Sequence, residues 1–344
     1  MIITLFNGLS GLQVRGISKV ADELAKHIRK DGHVVHEVKI PRLLYFKSSI
    51  ASGLILIFYQ QIVCPLVVLK TRSELVIDPY NGYSVLASLF VRTKYFIHDF
   101  TPFKRKYWFF RPGTIYQLIL FKLDSIFSLA EMYHDAIEIE TPWFLARSAL
   151  PKFFPCIVEP LNTSKSDFFQ KNIQSTLDQA IKDCLFITTI SGTGWNKDFD
   201  GLVKRLNSLA KPFLLVAFGF GDQGIKREVI NMPDGSTSYV FTVGFVDEAT
   251  IASVIKLSHI FVFHSISEGF GRPILEALQL KKLVVTVHAP VVGMLSAEAM
   301  ENLFIYCTQI EFNLAFNMAL ESEFVIFSRT YKAGIDDSIK EFIK

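Results

Sequence analysis

Two glutamates, Glu268 and Glu276, stand eight residues apart in the stretch SEGFGRPILEA, with a Gly-Phe-Gly turn and a proline between them. A carboxylate accepts two hydroxyl hydrogen bonds, which is what a ribose or a hexose offers. The preceding run HIFVFHS has the pattern of an apolar strand, so Glu268 falls in the loop beyond a strand's carboxyl end, where open α/β sheets bind their ligands. Gly269 and Gly271 permit backbone angles closed to other residues and let main chain approach a ligand. Pro273 fits the first position of a helix, where its missing N–H costs nothing. The resulting helix N-terminus has unpaired N–H groups and a partial positive charge suited to a phosphate. Glu276 follows about one turn inside, so a diphosphate joining two sugars would meet a carboxylate, a row of amides and a second carboxylate.

The segment EGFGRPILE resembles the E-x7-E motif of the retaining glycosyltransferases of family 4, which have the two-domain GT-B fold, and TVGFVDEATIASVIKLSHIFVFHSISEGFGRPILEAL is similar to theirs throughout. The resemblance implies that Glu268 contacts the donor sugar, that Glu276 holds the nucleotide ribose, and that the amides of Gly269, Phe270 and Gly271 meet sugar and phosphates, with Arg272 beside them. IHDFTP, with His98 and Asp99, resembles a His-Asp motif of the family's N-terminal domain and implies that His98 faces the donor. In ISGTGWNKDFDGL, Lys197 falls on the lysine used against the donor diphosphate. Relatives carry an arginine about five residues earlier, where this chain has Gly192 and Thr193. The loop NGLSGLQVRGIS, with Gly8 and Gly11, is similar to the family's first strand-helix turn on the acceptor side. Beyond KLVVTVHAPVVGM the chain departs again, since relatives have a polar loop with a glutamate and Glu298 is only an approximate counterpart.

The elements that hold these residues follow from length and pattern. A chain of 344 residues exceeds what one core usually serves. The first half alternates short β-type runs (MIITLF, HVVHEVKI, ELVIDPY, TKYFIHDF) with helical patterns, including one over 16–31. The second half restarts that rhythm with CLFITTIS, PFLLVAF, SYVFTVGF, HIFVFHS and KLVVTVH, with helices expected over 198–209, 248–257 and 273–280. The expected fold is α/β, with two doubly wound Rossmann-like domains facing each other across a cleft. Residues 1–155 are expected to form a first domain, on the acceptor side by the resemblance, and 156–182 a linker marked by nearby prolines. Residues 183–325 are expected to form a second domain, which the resemblance implies binds the nucleotide sugar, and 326–344 a C-terminal helix packing back toward the first domain.

The 36 Lys and Arg against 33 Asp and Glu give no global case for nucleic acid. Cys64, Cys156, Cys184 and Cys307 lie far apart without C-x-x-C spacing, as expected of buried thiols in a reducing compartment. No basic n-region precedes the first strand, so a cytoplasmic protein is expected. The apolar stretch 50–69 is long enough to cross a bilayer, but Gln60, Gln61 and Pro65 favour a buried helix of a soluble domain. FGFGDQG matches G-x-G-x-x-G, yet the short, proline-interrupted IKREVINMPDG after it suits no dinucleotide helix. KRKYWFFR, with Lys104, Arg105, Lys106, Trp108 and Arg111, suits peripheral contact with an anionic membrane.

The expected activity is transfer of a hexose from a UDP- or GDP-hexose to a hydroxyl of a glycan or lipid-linked acceptor, as the resemblance implies for O-antigen or capsule synthesis. Neither metal nor cofactor is expected. The alternatives are a nucleotide-sugar epimerase or hydrolase of the same fold, and an inactive binding relative acting as an assembly partner.

Overall fold

The apolar runs form two separate sheets. The computed structural model describes residues 1–8, 16–44, 49–80, 82–97, 112–134, 152–153, 184–209, 211–221, 224–268, 270–328, 330 and 335–344. The chain divides into two units, Met1–Val158 with Ala333–Lys344, and Glu159–Lys332.

In the first unit, strands β1 (Ile2–Phe6), β2 (Val34–Val38), β3 (Leu75–Asp78), β4 (Arg92–Ile97), β5 (Glu131–His134) and β6 (Lys152–Phe153) pair in the order β2-β1-β3-β4-β5-β6. All the described pairings are parallel. The helices are α1 (Gly16–Lys30), α2 (Ser49–Phe58), α3 (Cys64–Thr71), the short α4 (Val85–Ser88) and α5 (Pro112–Phe127). The central strands β1 and β3 are almost wholly buried because both faces of the sheet are covered. On one face Leu24, Ala25 and Ile28 of α1 pack on Ile3, Leu75 and Phe96. On the other, Cys64 and Val68 of α3 pack on Phe6, Val76 and Tyr80.

The segment expected as a buried helix over 50–69 is helical but buried on one face only. Helices α2 and α3 run into each other through a π turn, Tyr59–Val63, and Leu54, Phe58, Ile62, Leu66 and Leu69 are exposed. The polar residues, by contrast, point inward. Gln60 Nε2 donates to Asp78 Oδ2 at 2.6 Å, Gln61 Nε2 donates to the Tyr83 carbonyl, and Gln61 Oε1 accepts from the Val85 N–H. Burial holds the Asp78 carboxyl well above the usual carboxylate range, although Gln60 and the Tyr80 N–H favour its charged form.

In the second unit the strands are β7 (Leu185–Ile190), β8 (Phe213–Phe218), β9 (Ile225–Asn231), β10 (Thr237–Val243), β11 (Ile260–Phe263), β12 (Val284–Thr286) and β13 (Leu303–Ile305), in the order β13-β12-β11-β7-β8-β10-β9. Among the described strands only β9 is antiparallel, to β10. Between them lie α6 (Phe199–Asn207), α7 (Glu248–Leu257), α8 (Arg272–Gln279) and α9 (Ala297–Met300), and α10 (Gln309–Glu321) follows β13. Leu202 and Leu206 of α6 with Phe312 and Phe316 of α10 cover one face, and Val254 of α7 covers the other.

β9 is an element missed in the sequence, where no strand is expected between PFLLVAF and SYVFTVGF. IKREVIN is charged and mostly exposed, as suits an edge strand. Its presence also settles FGFGDQG: the glycine turn leads into a strand, so there is no helix N-terminus to face a pyrophosphate at that point.

The last helix, α11 (Ile335–Ile343), belongs to the first unit. Ile339, Phe342 and Ile343 join the core of Ile3, Phe96 and Tyr133. The buried Lys94 donates to the Phe342 carbonyl and lies 5.0 Å from the centre of the Phe342 ring.

Candidate active site

The second sheet reverses its strand order between β7 and β11: the chain runs outward through β8 and β10 on one side and through β12 and β13 on the other. Loops at the carboxyl ends of strands at such a switch point form a ligand crevice. The loop after β7 carries Lys197, and the loop after β11 carries Glu268. The structure brings these two together, Lys197 Nζ donating to Glu268 Oε1. Both side chains are partly buried, 22% and 17% exposed.

Side chains that sequence reasoning missed fasten this pair. Ser265 Oγ donates to Glu268 Oε1 at 2.8 Å. Asn196, next to Lys197, ties the two loops: its Nδ2 donates to the Ser267 carbonyl at 2.9 Å, and its carbonyl accepts from the Ile266 N–H at 2.7 Å. Below them, His264 Nε2 lies 3.1 Å from Asp198 Oδ2 and Nδ1 lies 2.6 Å from the Tyr306 hydroxyl. Burial lowers the His264 pKa, with Asp198 opposing. These partners therefore fit a neutral ring that donates from Nε2 to Asp198 and accepts at Nδ1 from Tyr306. The only cue in sequence is adjacency, since Ser265 and His264 precede Glu268 and Asn196 and Asp198 flank Lys197.

Helix α8 begins at Arg272, with Gly271 at its cap in the left-handed region (φ +97°). A Cβ on Gly271 would also press on Ala289 and Val291 at 3.1 Å, so glycine is required here on both counts. Pro273 is the second helical residue, not the first as expected; the N–H it lacks is still one of those without an intrahelical acceptor. Glu276 is buried and accepts from Arg272 Nε at 3.4 Å, one turn along the same helix. Phe270 is buried and its carbonyl accepts from the Val291 N–H.

The position where the family resemblance asks for an arginine is explained by backbone packing. Gly192 has φ +116°, and a Cβ there would stand 2.8 Å from the Gly219 carbonyl oxygen. The turns after β7 and β8 touch through main chain, so no side chain fits at Gly192; Thr193, beside it, is exposed. Gly8 follows β1, where the first sheet changes direction between β1 and β3. Its smallness is set by the Phe6 ring, 2.8 Å from where a Cβ would lie. His98, Asp99, Gly11, Gly269 and the run 104–111 lie outside the described residues.

Asp198-Phe199-Asp200 spells D-x-D, a spacing able to hold a metal ion. Asp198 is engaged by His264, and Asp200 sits exposed in the first turn of α6. Among the described residues no group of three or more His, Cys, Asp or Glu is placed to hold a metal ion.

Residues 182–307 match the family described as Glycosyl transferases group 1. That segment holds both loops, α8 and the whole second sheet. Solved structures resemble the chain over nearly its full length. Sucrose-phosphate synthase from Thermosynechococcus elongatus matches with a TM-score of 0.64 at 13% identity, over 99% of this chain and 94% of that one. HepE from Anabaena in complex with UDP-glucose matches with a TM-score of 0.58 at 15% identity, over 100% and 99%. WaaG, a glycosyltransferase involved in lipopolysaccharide biosynthesis, matches with a TM-score of 0.58 at 10% identity, over 94% and 91%. No curated protein sequence matches the chain. The architecture is GT-B, with two doubly wound α/β units. With the match of residues 182–307 beside that fold, the chain is a glycosyltransferase.

Proposed function

We propose that the chain is a retaining transferase of the family 4 type, which moves a hexose from a UDP- or GDP-hexose to a hydroxyl of a glycan or lipid-linked acceptor in cell-surface polysaccharide assembly, O-antigen or capsule. The observation that carries this is the meeting of Lys197 and Glu268 at the switch point, with the N-terminus of α8 a few residues further along the chain. Support for the donor class comes from HepE, whose structure holds UDP-glucose, and for the setting from WaaG.

In this proposal the bond between the anomeric carbon and the diphosphate oxygen breaks, with its electron pair leaving on the phosphate. The acceptor oxygen bonds to the same face of that carbon, and its proton passes to the departing phosphate, so no protein base or metal is invoked. Lys197, Arg272 and the first amides of α8 would stabilise the charge that develops on the leaving group. Glu268 would orient the sugar hydroxyls and Glu276 the ribose. His98 and Asp99 as donor-side groups, Gly8 and Gly11 on the acceptor side, and membrane contact through residues 104–111 rest on the sequence resemblance and composition alone.

The test is transfer by purified protein with the anomeric configuration of the product read by NMR. Glu268→Ala should lose about a hundredfold or more in turnover; wild-type turnover in that variant, or an inverted product, overturns the assignment. The absence of a side chain at Gly192 favours one second reading, a relative that binds the donor without turning it over. Calorimetric donor binding without product on any acceptor would establish that reading.

A further inference from the structure

The continuous helix from Ser49 through the π turn to Thr71 is turned inside out relative to an ordinary surface helix. Its mid-helix polar side chains, Gln60 and Gln61, are directed inward to Asp78, Tyr83 and Val85, whereas Leu54, Phe58, Ile62, Leu66 and Leu69 are each 43–61% exposed. Residues spaced by four drift around an α-helix of 3.6 residues per turn. The wider π turn advances less per residue and brings Leu54, Phe58, Ile62 and Leu66 back toward one line. The same insertion allows two consecutive glutamines to reach the interior. Helices α4 and α5 pack beside this helix and extend its apolar surface with exposed Leu89, Phe90 and Ile119.

The sequence around this helix is basic. No Asp or Glu occurs between Glu37 and Glu74, and residues 38–123 carry twelve Lys or Arg against three Asp or Glu, in a chain whose overall formal charge is only +3. One of the three acids, Asp78, and one of the twelve bases, Lys94, are buried. The helix ends at exposed Lys70 and Arg72, the latter in the left-handed region at the C-cap (φ +52°).

We infer that this face docks on the surface of an anionic lipid leaflet, the helix lying along the headgroup boundary with its apolar row in the acyl region and Lys70 and Arg72 among the headgroup phosphates. The helix is long and apolar enough to cross a bilayer, but Cys64 and Val68 on its other face are buried against the first sheet, so it lies on the membrane and does not span it. Lipid is favoured over a protein partner because the row has no hydrogen-bonding group to confer specificity, and because an apolar strip with a cationic border is what an acidic leaflet attracts. The inference does not depend on the proposed transfer chemistry, whose Lys197, Glu268, Arg272 and Glu276 lie in the second unit.

Flotation of the full chain with phosphatidylcholine vesicles, with and without phosphatidylglycerol, tests it. Wild type should float with the anionic vesicles and release at high salt. Leu66→Gln with Leu69→Gln should weaken partitioning at least about tenfold, because apolar area sets interfacial binding. Lys70→Gln should weaken it about fivefold on anionic vesicles only. These side chains are exposed, so melting and acceptor-free donor hydrolysis should be unchanged; if the double variant melts early, Leu54→Gln with Phe58→Gln replaces it. The inference is overturned if wild type stays with the buffer, if the leucine variants float as wild type does, or if they convert a vesicle-indifferent dimer to a monomer, which would assign the face to a second copy.

Discussion

Replacing Lys197 by methionine keeps the length and apolar stem of the side chain and deletes its charge. The magnitude follows from the electrostatics of the loop. A unit charge developing on the leaving diphosphate about 4 Å from Nζ would interact by about 4 kcal/mol at an effective dielectric constant of 20. Glu268, which holds Lys197 in the structure, opposes part of that. The remainder compares with the loss on deleting one donor to a developing oxyanion, about 2.7–4 kcal/mol, or a factor of about 10²–10³ in kcat. Stability should change much less. The pair is neither fully exposed, where such pairs contribute about 0–1 kcal/mol, nor fully buried, where breaking one costs about 3–5 kcal/mol. A loss of about 1–2 kcal/mol is expected, part of it recovered in Lys197→Met with Glu268→Gln. The assay is nucleoside diphosphate release from UDP- and GDP-hexoses, with and without acceptor, alongside thermal melting. A kcat within fivefold of wild type at normal donor affinity refutes the reasoning, since the lysine would then be only a strut between loops.

Two further perturbations probe the scaffold. Gly192→Ala forces a Cβ to within 2.8 Å of the Gly219 carbonyl at a φ of +116°, and should cost about 1–3 kcal/mol, seen as a fall of several degrees in melting; unchanged melting would mean the two turns can part. Asp78→Asn addresses the buried acid. Because burial raises its pKa in the folded state, the native chain retains a proton that the unfolded chain sheds above about pH 4, so stability falls as pH rises from there toward the folded value. The asparagine variant lacks this dependence and should gain on wild type as the pH rises above about 4 in denaturant titrations. A parallel pH profile for the two proteins would show that Asp78 ionises normally.

The strand-turn-helix around Glu268 was legible because its cues are local: an apolar strand, glycines at a cap, and a proline in the first turn. The alternating elements of both units were legible for the same reason. What escaped notice depends on distant partners. Asn196 and Ser265 matter through each other's loops, and His264 through Asp198 and Tyr306, 66 and 42 residues away. Strand β9 is too charged to look like a strand until an apolar neighbour, β10, is known to lie on one side of it. Gln60 and Gln61 argue against a membrane span in sequence, but whether they point in or out is decided by Asp78 and Tyr83, and that choice turned an expected core helix into one with an exposed apolar face.

The placement of α11 bears on how the chain is made. Synthesis is vectorial, and domains generally fold as they emerge from the ribosome, N-terminal first. Here the earlier-made unit lacks Ile339, Phe342 and Ile343, which complete its core, until the later one has already been translated. The order in which the two cores become complete is thus inverted: all of the second unit's strands are synthesised before the first unit has its last three core side chains.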